Sequence, residues 1–267
     1  MRVRALSPSL RPLWMMFATT MATAFAVPAH AQEIARPVVS GITVRVSPPR
    51  GFDTVVYARS ITQAGRDTAA GTRTVVSRVV DGPDHTRLLE IEQRFPAGGG
   101  EIVDTAVAEL ATMRAVAHRS HQPTRTMRFE FVGGNADGTV NSAAHDADSA
   151  AGSSIVHQSL GGAIFDSNVI DLVVASLPLV AGFSTELPFF IYERGGRVAM
   201  PVAVRERANV KFPTIGERDV WIVSVGVPGA PATIWVDTKT RAVLRVRYDV
   251  AARGMSFTDD RVTPLRS

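Results

Sequence analysis

The feature that constrains the fold most is an alternation of apolar and polar residues with a period of two. Within residues 241–250, the apolar side chains of Leu244, Val246 and Tyr248 are separated by arginines. Successive side chains of a β-strand point to opposite faces, so the alternation predicts strands with one buried and one exposed face. One dry face and one wet face are typical of antiparallel sheets.

The same alternation predicts strands along most of the chain. Stretches rich in Gly, Pro and Asp, such as residues 81–84 and 228–231, separate them as turns. Strands are expected at residues 38–46, 74–80, 87–95, 101–110, 114–121, 125–132, 221–227, 233–237, 241–250 and 255–259. Residues 141–154 are small and polar without apolar periodicity, and they predict a mobile loop.

One segment, residues 165–177, has helical periodicity. Asp166 or Ser167 can cap its start, apolar residues recur every three or four positions, and Pro178 ends it. A buried strand is the alternative, because valine and isoleucine are only moderate helix formers. A helix among so many strands must pack on the apolar face of the sheet. We therefore predict a mainly β fold over residues 32–267: a single domain with a curved antiparallel sheet or half-open β-barrel, and one or two helices plugging its concave face.

The first 31 residues have the order of a cleavable secretory signal. Basic residues open the chain, residues 13–27 carry no charge, and Ala29 and Ala31 place small side chains before a cut at Gln32. The uncharged stretch is shorter than the roughly 20 apolar residues that span a bilayer. The sequence therefore predicts a periplasmic or secreted protein with no integral membrane segment after cleavage.

Charge and cysteine content exclude further classes of protein. Residues 1–31 hold three arginines and no acid, so the formal charge of +4 falls to +1 once they are removed. The remaining basic residues are interspersed with acids, which argues against a nucleic-acid partner. The chain has no cysteine, so a hydrophobic core rather than disulfides must stabilise the exported domain.

Two stretches in the second half of the chain form a recognisable pattern. They contain Phe165-Asp166-Ser167-Asn168, Leu177-Pro178-Leu179, Gly182, Trp221, Trp235-Val236-Asp237, Thr240-Arg241 and Leu244-Arg245. With these residues the chain resembles uncharacterised exported bacterial β-proteins grouped with the outer-membrane lipoprotein-sorting carriers of the LolA/LolB type. The resemblance implies a curved, incompletely closed sheet with helices on its concave side, and acyl chains held between sheet and plug. It implies no catalytic residues.

The titratable residues give little sign of catalysis. His118 and His121 lie three apart, hence on opposite faces of a strand, and both are expected at the solvent side. No G-x-S-x-G nucleophile motif and no glycine-rich phosphate loop with a lysine occurs. Asp166 and Asp171 are five apart and should face different sides of the helix. We therefore assign no catalytic residue, no metal ligand and no cofactor.

Three hypotheses for the function remain. The first is a non-catalytic binding protein for a lipid, an acyl chain or a lipidated protein. The second is a structural or interaction protein of the cell envelope that uses an exposed strand edge. The third is a metal-dependent envelope hydrolase, which requires Asp104, His118 and His121 to converge. For the first, the predicted ligand-binding residues are Phe165, Val169, Val173, Leu177, Trp221 and Trp235.

Overall fold

The structure is a computed structural model that describes residues 52–97, 99–143 and 152–265. The predicted signal sequence, its cleavage site and the strand predicted at 38–46 lie outside the described residues.

The described part of the chain contains fifteen strands and one short α-helix. The first eight strands are β1 (Phe52–Gln63), β2 (Arg66–Asp81), β3 (Arg87–Ala97), β4 (Gly100–Glu109), β5 (Ala115–His121), β6 (Arg125–Val132), β7 (Asn135–Ser142) and β8 (Gly152–Ser159). They are followed by β9 (Phe165–Asp166), α1 (Ile170–Ser176), β10 (Ser184–Ile191), β11 (Gly196–Phe212), β12 (Gly216–Val225), β13 (Ala232–Asp237), β14 (Val243–Val250) and β15 (Met255–Arg261). Single turns of 3-10 helix occupy Pro83–His85, Ser167–Val169, Tyr192–Arg194 and Ala251–Arg253.

All fifteen strands belong to one sheet. Its order is β8-β7-β6-β5-β4-β3-β2-β1-β15-β14-β13-β12-β11-β10-β9, so nearly every strand pairs with its neighbour along the chain. The exception is the pair β1 and β15, where Tyr57 lies opposite Arg261. Every pair is antiparallel except β9 with β10. The predicted mainly β fold, with a curved, unclosed sheet and a helix, is confirmed.

The helix is shorter than the segment predicted for it, residues 165–177. Phe165 and Asp166 form β9, a 3-10 turn follows, and only Ile170–Ser176 is α-helical. Asp166 caps the 3-10 turn as predicted, because its carboxylate accepts a hydrogen bond from the backbone N–H of Asn168 at 2.8 Å. Leu177, before Pro178, is already extended.

The predicted loop at 141–154 is wrong at both ends. β7 continues to Ser142 and β8 begins at Gly152, whereas residues 144–151 lie outside the described part. Nearly all of β8 is exposed, so its strand rests on backbone hydrogen bonds to β7 rather than on apolar burial. A strand of this kind carries no hydrophobic alternation for sequence reasoning to detect.

An apolar cluster, here called the concave core, fills the space between the helix and the sheet. It draws buried side chains from nine strands, from Met113 and from residues 169–179. Two smaller clusters lie elsewhere in the described part of the chain. Its strand members are Tyr57, Val75, Leu89, Ile91, Ala106, Leu187, Phe189, Ile191, Met200, Val202, Val204, Val223, Val225, Ala232, Ile234, Val236, Val243 and Val246.

One predicted face of β14 is interrupted. Val246 packs in the concave core, but Leu244 belongs to a separate cluster with Phe212. The register of β13 and β14 shifts between Trp235 and Val236, so the residues on either side of the shift no longer share one face.

Candidate functional site

The covering element of the concave core is a short segment, residues 167–179, here called the plug. It comprises the 3-10 turn, α1 and the extended residues that follow. Val169, Val173 and Val174 have no exposed surface, and α1 packs on β13 and β14. No helix among the described residues has both the length and the apolar character needed to cross a bilayer.

The structure brings five of the six predicted ligand-binding residues to one cluster. Val169, Val173 and Leu177 are members of the concave core, and Phe165 and Trp221 pack against it half-buried. The sixth, Trp235, packs instead with the cluster that contains Phe212 and Leu244. Its neighbours on β13, Ile234 and Val236, face the concave core, so Trp235 points to the opposite side of the strand.

A buried carboxylate, that of Asp166, anchors the start of the plug. Its Oδ2 lies 2.9 Å from Nδ1 of His118 and accepts a 2.8 Å hydrogen bond from the hydroxyl of Tyr192. Its Oδ1 accepts the N–H of Asn168. Because a carboxylate only accepts hydrogen bonds, Nδ1 of His118 carries the proton. The imidazole ring also stacks on Tyr192, with ring centroids 4.1 Å apart.

The prediction for His118 is therefore wrong. His118 is fully buried, whereas His121 is exposed as expected. The two side chains do lie on opposite faces, so Asp104, His118 and His121 do not converge. β5 carries mainly small and polar residues, and such a sequence does not reveal which face of a strand is turned inward. Within the described ranges, no three His, Cys, Asp or Glu side chains are grouped as a metal site.

A second buried ionic cluster surrounds Arg73, which is only 4% exposed. Its guanidinium lies 2.7 Å from Asp171 and 3.5 Å from Asp259, and Asp259 also pairs with Arg59 at 2.7 Å. Burial opposes the charge of Arg73, but the two carboxylates outweigh it and raise its pKa. Asp166 and Asp171 face different partners, as the sequence predicted. Burial also raises the pKa of Tyr57, beside this cluster, to about 12.

Further polar contacts fix both ends of the plug to the sheet. Gln93 of β3 accepts a hydrogen bond from Arg73 at 3.0 Å and donates one to the backbone carbonyl of Asn168. At the other end, the guanidinium of Arg241 donates to the carbonyls of Ala175, at 2.9 Å, and Leu177. These carbonyls lack helical partners because the helix ends there. Burial lowers the pKa of Arg241.

Asp104 is a buried carboxyl group that the plug does not engage. Gln93, Asp104 and Ser120 lie directly opposite one another on β3, β4 and β5. Ser120 hydrogen-bonds the carboxyl group of Asp104, but no donor among the described residues reaches its Oδ1. Burial raises the pKa of Asp104, although Ser120 and His118 act in the opposite direction. The interior thus holds a hydrogen-bond acceptor without a donor.

We expect Asp104→Asn to stabilise the protein at neutral pH. The pKa of Asp104 is higher in the folded state than in the unfolded state. Between these two pKa values the folded protein therefore binds more protons, and its free energy of unfolding falls as the pH rises through this range. Removing the charge should recover about 1–3 kcal/mol at pH 7, the typical cost of an unsatisfied buried group. Urea unfolding at pH 3 and pH 7 checks this: the gain should be present at pH 7 and largely absent at pH 3.

Sequence reasoning missed most of this polar interior. It identified Asp166 only as a cap, and it did not identify Arg73, Gln93, Asp171 or Tyr192. One signal was available: Asp171 stands between Ile170 and Leu172 in a segment that is otherwise apolar. A charge in such a position requires a buried partner.

These features define a β half-barrel whose concave face is covered by a short internal plug. The chain belongs to the family described as "Protein of unknown function (DUF3108)", whose model matches residues 56–258. No protein with a curated record matches it.

Two solved structures are similar to this chain. One is a β-barrel-like protein of the DUF1849 domain of unknown function from Brucella abortus, with 10% identity and a TM-score of 0.46, covering 82% of this chain and 98% of that one. The other is a DUF1329 family protein from Desulfovibrio piger ATCC 29098, with 12% identity and a TM-score of 0.30, covering 79% and 83% of the two chains.

Proposed function

We propose that the protein is an exported, non-catalytic binding protein that holds an acyl chain or another apolar ligand in its half-barrel, either as a free lipid or as part of a lipidated protein. The observation that carries the proposal is that the apolar surface of the sheet is large, whereas the helix that covers it is short. Nine strands contribute apolar side chains to the concave core, but the helix that covers it has seven residues. Such a helix is about 10 Å long.

The way the plug is attached supports its displacement by a ligand. Its ends are fixed to the sheet by hydrogen bonds and ion pairs from His118, Arg73, Gln93 and Arg241. Hydrogen bonds of this kind exchange with water at a net cost of about 0.5–1.5 kcal/mol each, and somewhat more where a charge takes part. The apolar contacts of the plug would be replaced by those of an apolar ligand, so the polar contacts at its two ends set the net cost of the exchange.

The sequence supports the cellular setting of this proposal. The basic start, uncharged stretch and small residues of positions 1–31 favour export to the periplasm or the medium. The resemblance to lipoprotein-sorting carriers in residues 165–182 and 221–245 favours an acyl ligand. Intact-mass measurement of the exported protein tests the cut before Gln32.

A second candidate function, an envelope interaction protein, is favoured by strand β8. This edge strand pairs only with β7 among the described strands, contains neither lysine nor proline, and exposes Ile155 at 86%. Edge strands without such protection are templates for an added strand. A stable complex with an envelope protein and no bound lipid would favour this candidate.

Native mass spectrometry of the exported protein, purified without detergent, tests the binding proposal. We expect a fraction of the protein to carry an additional mass that organic extraction removes and lipid analysis identifies as an acyl compound. After extraction, calorimetric titration with decanoate, decanol and decylamine should detect saturable binding of at least one of them. Protein that is free of lipid on purification and binds none of the three would contradict the proposal.

We expect Arg241→Ala to accelerate ligand entry. The variant removes the donors that hold the carbonyls of Ala175 and Leu177, so the end of the plug opens more often. One lost charged hydrogen bond corresponds to about 1.5–3 kcal/mol, so association should rise roughly tenfold or more. Stopped-flow measurement of the tryptophan signal follows the rate. The matched control is Arg247→Ala, which removes an exposed pair with Asp249 and should leave the rate unchanged.

A further inference from the structure

We infer that Asp104 receives the polar head of the ligand, and that the ligand is an amphiphile whose head donates hydrogen bonds, a hydroxyl or an ammonium group on an apolar chain. The inference rests on the proposed function, since it names the chemical class of ligand that the half-barrel takes.

The first observation is the state of the Asp104 carboxyl group. The residue is 7% exposed, and its Oδ1 has no donor among the described residues. The polar side chains opposite it leave Oδ1 without a donor: Ser120 hydrogen-bonds the same carboxyl group but does not reach Oδ1, and Gln93 is engaged elsewhere. Gln93 bonds to Arg73 and to the carbonyl of Asn168, and Ser120 accepts a 3.0 Å hydrogen bond from Gln122. Buried acceptors of this kind nearly always have a partner, so the missing one must come from outside the described protein.

The second observation is the position of Asp104 relative to the concave core. Ala106, two residues further along β4 and on the same face, is a member of the concave core, and Ile91 opposite it is another. The acceptor therefore stands at the margin of an apolar surface. A ligand with its chain on the concave core and its head at Asp104 must have an apolar chain and a polar head group.

The unpartnered oxygen selects the kind of head group. Among the groups that act on Asp104, His118 of β5 and Arg125 at the start of β6 favour its charged form, whereas the carboxylate of Asp166 disfavours it. A carboxylate head has no hydrogen to donate to Oδ1, so it cannot supply the contact that is lacking. A hydroxyl or ammonium head supplies the donor that Oδ1 lacks.

Calorimetric titration with three probes of equal chain length tests the inference: decylamine, decanol and decanoate, each below its aggregation concentration. The lipid-extracted wild type should bind decylamine and decanol roughly tenfold more tightly than decanoate, as expected for a hydrogen bond to a charged group. Asp104→Asn should abolish this preference. The control Asp137→Asn alters an exposed carboxylate paired with His157 and should keep the preference.

The two proposals fail in different ways. Equal affinity of the wild type for all three probes, or an unchanged preference in Asp104→Asn, would overturn the inference, while the proposed function stands. Absence of binding for every probe would overturn both. The comparison among probes uses wild-type protein, so it does not depend on how any variant folds.

Discussion

Asp166→Ala is expected to lower the free energy of unfolding by about 3–5 kcal/mol, because it removes the acceptor of three buried hydrogen bonds, and hydrogen bonds to charged groups contribute about 1.5–3 kcal/mol each. The carboxylate of Asp166 is fully buried and accepts from three donors: the imidazole of His118, the hydroxyl of Tyr192 and the N–H of Asn168. Alanine removes all three acceptor contacts and the cap of the 3-10 turn. Urea denaturation followed by circular dichroism measures the loss.

Two further variants define the origin of that loss. Asp166→Asn keeps an oxygen for the N–H of Asn168 but removes the charge, so it should fall between wild type and Asp166→Ala. Asp137→Asn disrupts an exposed aspartate–histidine pair and should cost less than about 1 kcal/mol, as surface pairs do. A similar small loss for Asp166→Ala would show that the buried contacts contribute little.

Arg73→Leu is expected to destabilise the protein by a comparable amount, about 3–5 kcal/mol. The substitution leaves the carboxylate of Asp171 buried without its 2.7 Å partner and deprives Asp259 of one of its two arginines. Equilibrium unfolding in urea at pH 7 measures the effect.

The double variant Arg73→Leu/Asp171→Leu is the informative comparison. Removing both charges of a buried pair is often neutral, because the cost of desolvating them disappears together with their attraction. We therefore expect the double variant to be more stable than Arg73→Leu alone, although Asp259 still loses a partner. A double variant as unstable as the sum of its two single variants would contradict this account.

Most of the strand positions follow from the sequence, because alternation reports which residues a half-buried strand turns inward. β3, β6 and β13 lie within one or two residues of their predicted bounds. β10 is less evident, since Pro188 lies within it. Pro188 lies opposite Ala199 of β11, and the short strand β9 contacts β10 only at Phe189 and Phe190.

Strand order is beyond the reach of alternation. The pairing of β1 with β15 joins residues about two hundred positions apart, such as Arg59 and Asp259. Periodicity describes each strand singly and contains no information on which strands meet. Periodicity does not identify the residues of the buried polar network for the same reason. Arg73 and Asp171 are distant in sequence and become partners only in the folded sheet, where it curves around the plug.

The apolar part of the site was more accessible to sequence reasoning than its polar part. The helical spacing of Val169, Val173 and Leu177 identified the face that meets the sheet. Trp235, predicted to line the same pocket, packs on the opposite side of its strand from this cluster, and the sequence does not show this because an aromatic residue packs equally well on either face. For Asp104, nothing in the local sequence distinguishes an inward carboxylate from a solvated one.

Because β1 pairs with β15, strand β15 joins the two halves of the described sheet. In the described sheet these two are the eighth and ninth of fifteen, so the last described strand lies in the middle of the sheet rather than at its rim. A chain truncated before Met255 would not lose a border strand. It would be left as two separate meanders with facing, unfilled hydrogen-bonding edges, and Arg59 and Arg73 would lose the aspartate they share.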